Sequence, residues 1–141
     1  MTEATAADMA LDVPAGFVPY PPASAFMALF GPMYARHETD GTTTIGLRLA
    51  AAHQNHQGTA HGGMLAAIAD NSLGYNVARA MGRAIATVHM SIDYLGRSSP
   101  GDWLEVSTVI DRQGRRMCFA HCTAAAQGRP VMKTSAVFSV L

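Results

Sequence analysis

Cysteine is nearly absent from this chain, with two in 141 residues. Cys118 and Cys122 lie four apart in a segment that reads as a strand, which puts both on one face but roughly 13 Å apart, beyond disulfide reach. A disulfide scaffold is excluded, and both read as reduced core residues. Charge is scarce too: 14% of residues are charged, with ten basic against ten acidic. No basic stripe forms, so nucleic acid is not an expected partner. Nothing approaches the ~18 apolar residues of a membrane span, and the N-terminus lacks a cationic opening and is broken by prolines, so no membrane association and a cytoplasmic location are expected. The P-loop, the dinucleotide glycine pattern and the Gly-x-Ser-x-Gly elbow are missing. No nucleotide cofactor and no covalent serine or cysteine catalysis are therefore expected.

Histidine is present but arranged for nothing obvious. His53, His56 and His61 crowd one stretch while His37, His89 and His121 are scattered, and their spacings match no zinc pattern. No metal site is expected. His61 reads as a loop-packing or ligand-orienting residue, and His89 and His121 as satisfied core or interface histidines.

What the chain has in quantity is apolar residues, 49% of the total. That is much for one small domain and suggests surface covered by another subunit. Residues 1–22, rich in Ala, Pro and Thr, read as an extended, loosely held arm, and residues 23–141 as one domain. "ASAFMALFG" offers a short amphipathic helix ending at Gly31. "MYARHET" and "TTTIGLRLA" flank Asp40-Gly41, suited to a tight hairpin with positive φ at both central positions. Four later segments, "AIATVHMSIDYL", "DWLEVSTVID", "RRMCFAHCTAAA" and "PVMKTSAVFSVL", alternate with a period near two; the last three, separated by Gln113-Gly114 and Gln127-Gly128, predict an antiparallel meander. Between the strand groups, roughly His61 to Met81, lies one helix apolar nearly all round, which predicts burial nearly all round. The fold class is α+β, an antiparallel sheet curled about one central helix.

Two features of "NHQGTAHGGMLAAIAD" carry chemistry. Asn55, Gly58, Gly62 and Gly63 let the backbone approach a ligand, and a helix N-terminus holds out unpaired N–H groups suited to a developing oxyanion, although glycines that only let the helix pack closely would look the same. Asp70 is a carboxylate in a helix expected to be buried, where an unpaired charge costs several kcal/mol. Capping by Asn71, Ser72 or the backbone is the ordinary explanation; function is the other. Eight residues separate Gly62 from Asp70, about 12 Å along the axis, so the two meet on one substrate only if the aspartate comes from a second subunit.

The pattern N-x5-HGG-x6-D, formed by Asn55, His61, Gly62, Gly63 and Asp70, resembles the helix start of hotdog-fold acyl-CoA thioesterases, in the branch that includes the phenylacetic-acid-pathway thioesterase. The resemblance runs on through "ATVHMSIDYLGRSSPGDWLEV" and "GRRMCFAHCTAAAQGRPVMKTSAVF", from about residue 40 to residue 141. It implies a hotdog fold and hydrolysis of an aryl- or medium-chain acyl-CoA. The N–H of Gly62, with Gly63, would polarise the thioester carbonyl. Asp70 of the opposite subunit would serve as base or nucleophile, with Thr87 holding the water or the carboxylate. Asn55 and His61 would line the thiol side or fix the loop. Of the turn arginines, Arg97 and Arg115 are the candidates for the coenzyme A phosphates. A homodimer, or a tetramer made of two, follows. A non-catalytic acyl-CoA binding module and a hotdog hydratase or dehydratase are the alternatives; Asp70 speaks against the first, and no acid-base partner for it speaks for the second.

Overall fold

The computed structural model describes residues 12–141. It contains seven strands, β1 (Val18–Tyr20), β2 (Met33–His37), β3 (Thr43–Arg48), β4 (Ile85–Tyr94), β5 (Trp103–Gln113), β6 (Met117–Ala126) and β7 (Arg129–Val140), with a one-turn helix α1 (Ala25–Ala28) and a long helix α2 (Gly62–Met81). The strands form one antiparallel sheet in the order β1-β2-β3-β5-β6-β7-β4. After β3 the chain leaves the sheet, runs through α2, lays β4 on the far edge and crosses back to place β5 beside β3. The expected α+β architecture and the β5-β6-β7 meander are both present.

Local chemistry explains most boundaries. Ser24 caps α1 by accepting from the Met27 N–H at 3.2 Å. The turn between β6 and β7 has positive φ at both Gln127 (49°) and Gly128 (77°), the pairing that a tight hairpin twist favours. The turn between β2 and β3 departs from expectation. Only Gly41 has positive φ, while the Asp40 carboxylate accepts from the Thr42 N–H at 2.9 Å and its hydroxyl at 2.6 Å. Asp40 therefore works through its side chain rather than through an unusual backbone.

The loose arm expected over residues 1–22 falls only in part on described residues. Residues 1–11 lie outside the described part. Val18–Tyr20 pair with β2, and the Phe17 ring meets the Trp103 indole edge-on at 5.2 Å.

Helix α2 is not buried all round. Leu65, Ile68, Ala69, Ser72, Leu73, Asn76 and Val77 are buried, a run at helical spacing that faces the sheet. Ala66, Ala67, Asp70, Gly74 and Ala78 occupy the other side and are only partly covered. Their small size made that side look like core in the sequence. Against the buried stripe pack Ile45, Leu47, Leu104, Val106, Cys122 and Phe138, all fully enclosed.

One polar residue in the stripe locks the helix to the sheet. Asn76 accepts from the Thr43 N–H at 2.7 Å and donates to the Thr43 and Ser72 carbonyls at 3.0 and 2.9 Å. Asn76→Ala strands the buried Thr43 N–H and carbonyl, each costing roughly 1–3 kcal/mol when unsatisfied, while the Ser72 carbonyl keeps its helical bond. Denaturant unfolding is expected to show a loss of at least about 2 kcal/mol; a loss below 0.5 kcal/mol would mean that the helix is held by apolar contact alone.

Candidate active site at the start of the central helix

The glycine-rich segment before α2 is a compact loop. Asn55 organises it: Oδ1 accepts from the N–H groups of Gln57 at 2.9 Å and Thr59 at 3.2 Å, and the Asn55 N–H donates to the Thr59 carbonyl at 2.7 Å. Asn55 thus fixes the loop. His53 is the buried histidine, its ring lodged between the Ala50 N–H at 3.0 Å and the Phe30 carbonyl at 2.7 Å. The loop is also tied to the stretch after β4, since the Ala60 N–H donates to the Ser98 carbonyl at 2.8 Å.

His61 is the N-cap of α2, its Nδ1 accepting from the Gly63 N–H at 2.8 Å. That contact takes Gly63 out of the expected oxyanion pair. The Gly62 N–H, with no acceptor four residues back in the helix and no hydrogen-bond partner among the described residues, is the donor left free.

Tyr94, which the sequence reading missed, closes the other side. Its hydroxyl donates to the Gly62 carbonyl at 2.7 Å, and a Cβ on Gly62 would meet its Cζ and hydroxyl at 3.2 Å. A signal existed: Met90, Ile92 and Tyr94 alternate along β4, and Met90 and Ile92 pack on the core, so Tyr94 continues the helix-facing row.

Asp70 is half-buried rather than enclosed, so the desolvation cost expected from the sequence does not arise in the single chain. Its Oδ1 accepts from the Thr87 hydroxyl at 2.6 Å, and Oδ2 has no hydrogen-bond partner among the described residues. Thr87 reaches it because of a bulge. Thr87 and Met90 are three apart and would face opposite sides of a regular strand; the register shift between Thr87 and His89 turns both toward the helix.

The arginines separate. Arg97 adjoins Ser98, beside the start of α2. Arg115 lies in the turn before β6, where the neighbouring Arg116 carbonyl holds Val140 and the Ala84 carbonyl holds Leu141, just past the helix C-cap Gly82. One protomer therefore carries them at opposite ends of a helix of 20 residues, about 30 Å long. His89 is exposed on β4, and His121 faces both Asp111 oxygens at 2.9 Å on the outer side of the sheet; neither is a core histidine. Among the described residues no three His, Cys, Asp or Glu side chains gather as metal ligands. Burial pushes the Cys122 thiol up to about 12, which disarms it as a nucleophile.

An antiparallel sheet curled about one long, glycine-opened helix defines a hotdog domain. A family model described as the thioesterase superfamily matches residues 57–133, and the chain belongs to that family. A Pseudomonas aeruginosa protein described as a candidate esterase is 39% identical over 130 residues, covering 91% of this chain and 97% of that one. A Streptococcus pneumoniae thioesterase protein crystallised with coenzyme A is 28% identical with a TM-score of 0.73, over 79% of this chain and 90% of that chain. The E. coli PaaI protein from the phenylacetic acid degradation operon has a TM-score of 0.77 at 20% identity, over 84% and 86% of the two chains, a likeness of fold. No helix among the described residues is long and apolar enough to cross a membrane.

The loop glycines are required for different reasons. Gly58 has φ of 81° and a Cβ there would make only ordinary contact with Gln54 Oε1 at 3.8 Å, whereas Gly62 is crowded by Tyr94. Gly58→Ala forces alanine into left-handed backbone at about 1–2 kcal/mol, a fall in melting temperature of roughly 3–10 °C. A melt unchanged within 1 °C would show that the loop relaxes to another conformation.

Proposed function

We propose that this protein is an acyl-CoA thioesterase that hydrolyses aryl- or medium-chain acyl thioesters in a site shared between two copies of the chain. The observation that carries the reading is the Asp70 carboxylate, held through one oxygen by Thr87 at 2.6 Å and open at the other, on a helix whose first N–H, that of Gly62, has no partner among the described residues. Similarity to a thioesterase protein that binds coenzyme A supports the substrate class.

The two groups stand about 12 Å apart along one rigid helix and cannot meet on one carbonyl. Pairing through β4 solves this. β4 is an edge strand of ten residues with one row of N–H and C=O groups unpaired and Val88 57% exposed, while the other edge, β1, has three residues. A long open edge invites pairing with a second copy. A two-fold axis there sets one helix start beside the Asp70 of the other subunit.

In such a site the Gly62 N–H polarises the thioester carbonyl. Asp70 takes a proton from a water molecule as the water oxygen bonds to the carbonyl carbon. The negative charge gathers on the carbonyl oxygen, and on collapse the C–S bond breaks and the thiolate takes up the proton that Asp70 accepted from water, which restores the carboxylate. A preorganised backbone donor contributes around 3 kcal/mol to such a transition state, and a positioned base a factor of ~10² to 10⁴. Thr87 aims the carboxylate, while Asn55 and His61 hold the loop. Arg97, beside the loop, and Arg115 of the opposite subunit, brought round by the antiparallel pairing, are the arginines for the coenzyme A phosphates. The acyl group has a hollow of about 410 Å³ between Val18, Tyr20, His37 and Tyr75. Tyr20 and Tyr75 meet edge-on at 5.4 Å there, a setting suited to an aryl group.

Asp70→Asn is expected to lower kcat by about 10² or more with the assembly unchanged by light scattering; near wild-type turnover would remove Asp70 from the mechanism.

The shared site is tested by complementation. A Gly62→Val chain and an Asp70→Asn chain, each inactive alone, are co-expressed with different tags. One site of the heterodimer inherits both defects and the other is wild type, so purified heterodimers recover up to about half the activity per dimer. Correctly assembled heterodimers without activity would place each site within one chain.

A further inference from the structure

We propose that Tyr94 is a positioning residue of this site: together with His61 it clamps the Gly62–Gly63 peptide, the plate that follows the one carrying the Gly62 N–H, and so restricts the rotation at Gly62 through which that N–H would lose its aim. The inference rests on the thioesterase reading above.

A trans peptide is planar, with its carbonyl and its N–H on opposite edges of one rigid plate. The Gly62 N–H belongs to the His61–Gly62 plate, whose carbonyl accepts from the Leu65 N–H at 3.0 Å, and the next plate, Gly62–Gly63, is held at both edges by side chains. The Gly62 oxygen accepts from the Tyr94 hydroxyl at 2.7 Å, and the Gly63 N–H donates to His61 Nδ1 at 2.8 Å. The two side chains come from opposite directions in the chain, His61 from the residue before the helix and Tyr94 from the last position of β4.

The need for a clamp follows from the sequence. Two successive glycines carry no Cβ and reorient at little steric cost, so an unrestrained Gly62-Gly63 pair would leave the first helical turn loosely aimed. A backbone donor stabilises developing charge only when it is already aimed before the reaction. Tyr94 supplies the restraint twice, through its hydroxyl and through a ring that occupies the space above Gly62. Tyr94 is 53% exposed in the single chain, and it lies on the strand proposed to pair with a second copy. Assembly and the aim of the oxyanion donor thus share one residue.

The test is Tyr94→Phe, which keeps the ring and removes the hydroxyl, in the full chain with its melting temperature monitored. The expected result is a roughly tenfold fall in kcat for the best acyl-CoA with KM changed less than twofold, because the hydroxyl acts on the donor and not on the bound substrate. Amide hydrogen exchange at Gly63 accelerates severalfold in the same variant. The His61→Ala, Tyr94→Phe double variant loses less activity than the product of the single losses, because either release frees the same plate.

An unchanged kcat overturns the proposal. So does a rise in KM at constant kcat, which would make Tyr94 a substrate contact, and so does strict multiplication of the two single effects. A wild-type protein without activity on any acyl-CoA would sink the thioesterase reading and this catalytic role with it. Gly63 exchange in Tyr94→Phe then still reports separately on whether the peptide is clamped.

Discussion

The structure depends on how one helix is turned. Leu65, Ile68, Leu73 and Val77 point into the sheet, and that choice dictates what the opposite face can be. Successive residues on a helix are separated by about 100°, so a roll of one residue would put Asn71 where Asp70 now stands. Apolar packing alone resists such a roll only weakly when the outward face is alanine and glycine. Asn76 supplies the missing angular restraint by bonding to both the N–H and the carbonyl of Thr43. A buried amide costs free energy unless all its groups are paired, and here they are paired to one residue of β3 and one turn of its own helix.

With the helix set, the rest of the candidate site is supplied by the edge strand. β4 presents Thr87 at one end and Tyr94 at the other, and both bond to α2: one to the Asp70 carboxylate, the other to the Gly62 carbonyl. The strand does this with a bulge between Thr87 and His89, an irregularity that costs ladder pairing and gives Thr87 and Tyr94 the same facing. The longer edge of the sheet is therefore also the wall of the site. A change in how β4 is covered is felt at the carboxylate and at the helix start together.

Much of the fold was legible from residues alone because its signals are local. Period-two alternation marked the strands, Gln127-Gly128 marked a tight turn, and the apolar run from His61 to Met81 marked the helix. Failures came where small residues carry no pattern. Alanine and glycine on the outer face of α2 passed for core, which overstated the burial of Asp70. The hairpin at Asp40-Gly41 was assigned to backbone freedom when a carboxylate does half of it. In the site, the Gly62-to-Asp70 spacing could be read from the chain, and Thr87 came from resemblance. Strand alternation would have set Thr87 on the wrong side, since a bulge leaves no local mark in a single sequence. That His61 occupies the Gly63 N–H is a matter of one side-chain rotamer, which no spacing encodes.

The half-exposed state of Asp70 changes why an aspartate stands at that position. Were the carboxylate enclosed within the chain, its cost would have to be met by a partner already present, and the Thr87 hydroxyl alone is a modest one. Because it lies open on one side, the folded chain bears little of that cost. In the proposed dimer the second copy would cover the open side and remove water from it, strengthening each electrostatic interaction left inside. The carboxylate would then become a strong acceptor only after assembly, beside a helix start that carries partial positive charge. A site divided in this way keeps each half inexpensive to fold and brings the opposed charges together only where a thioester carbonyl can lie between them.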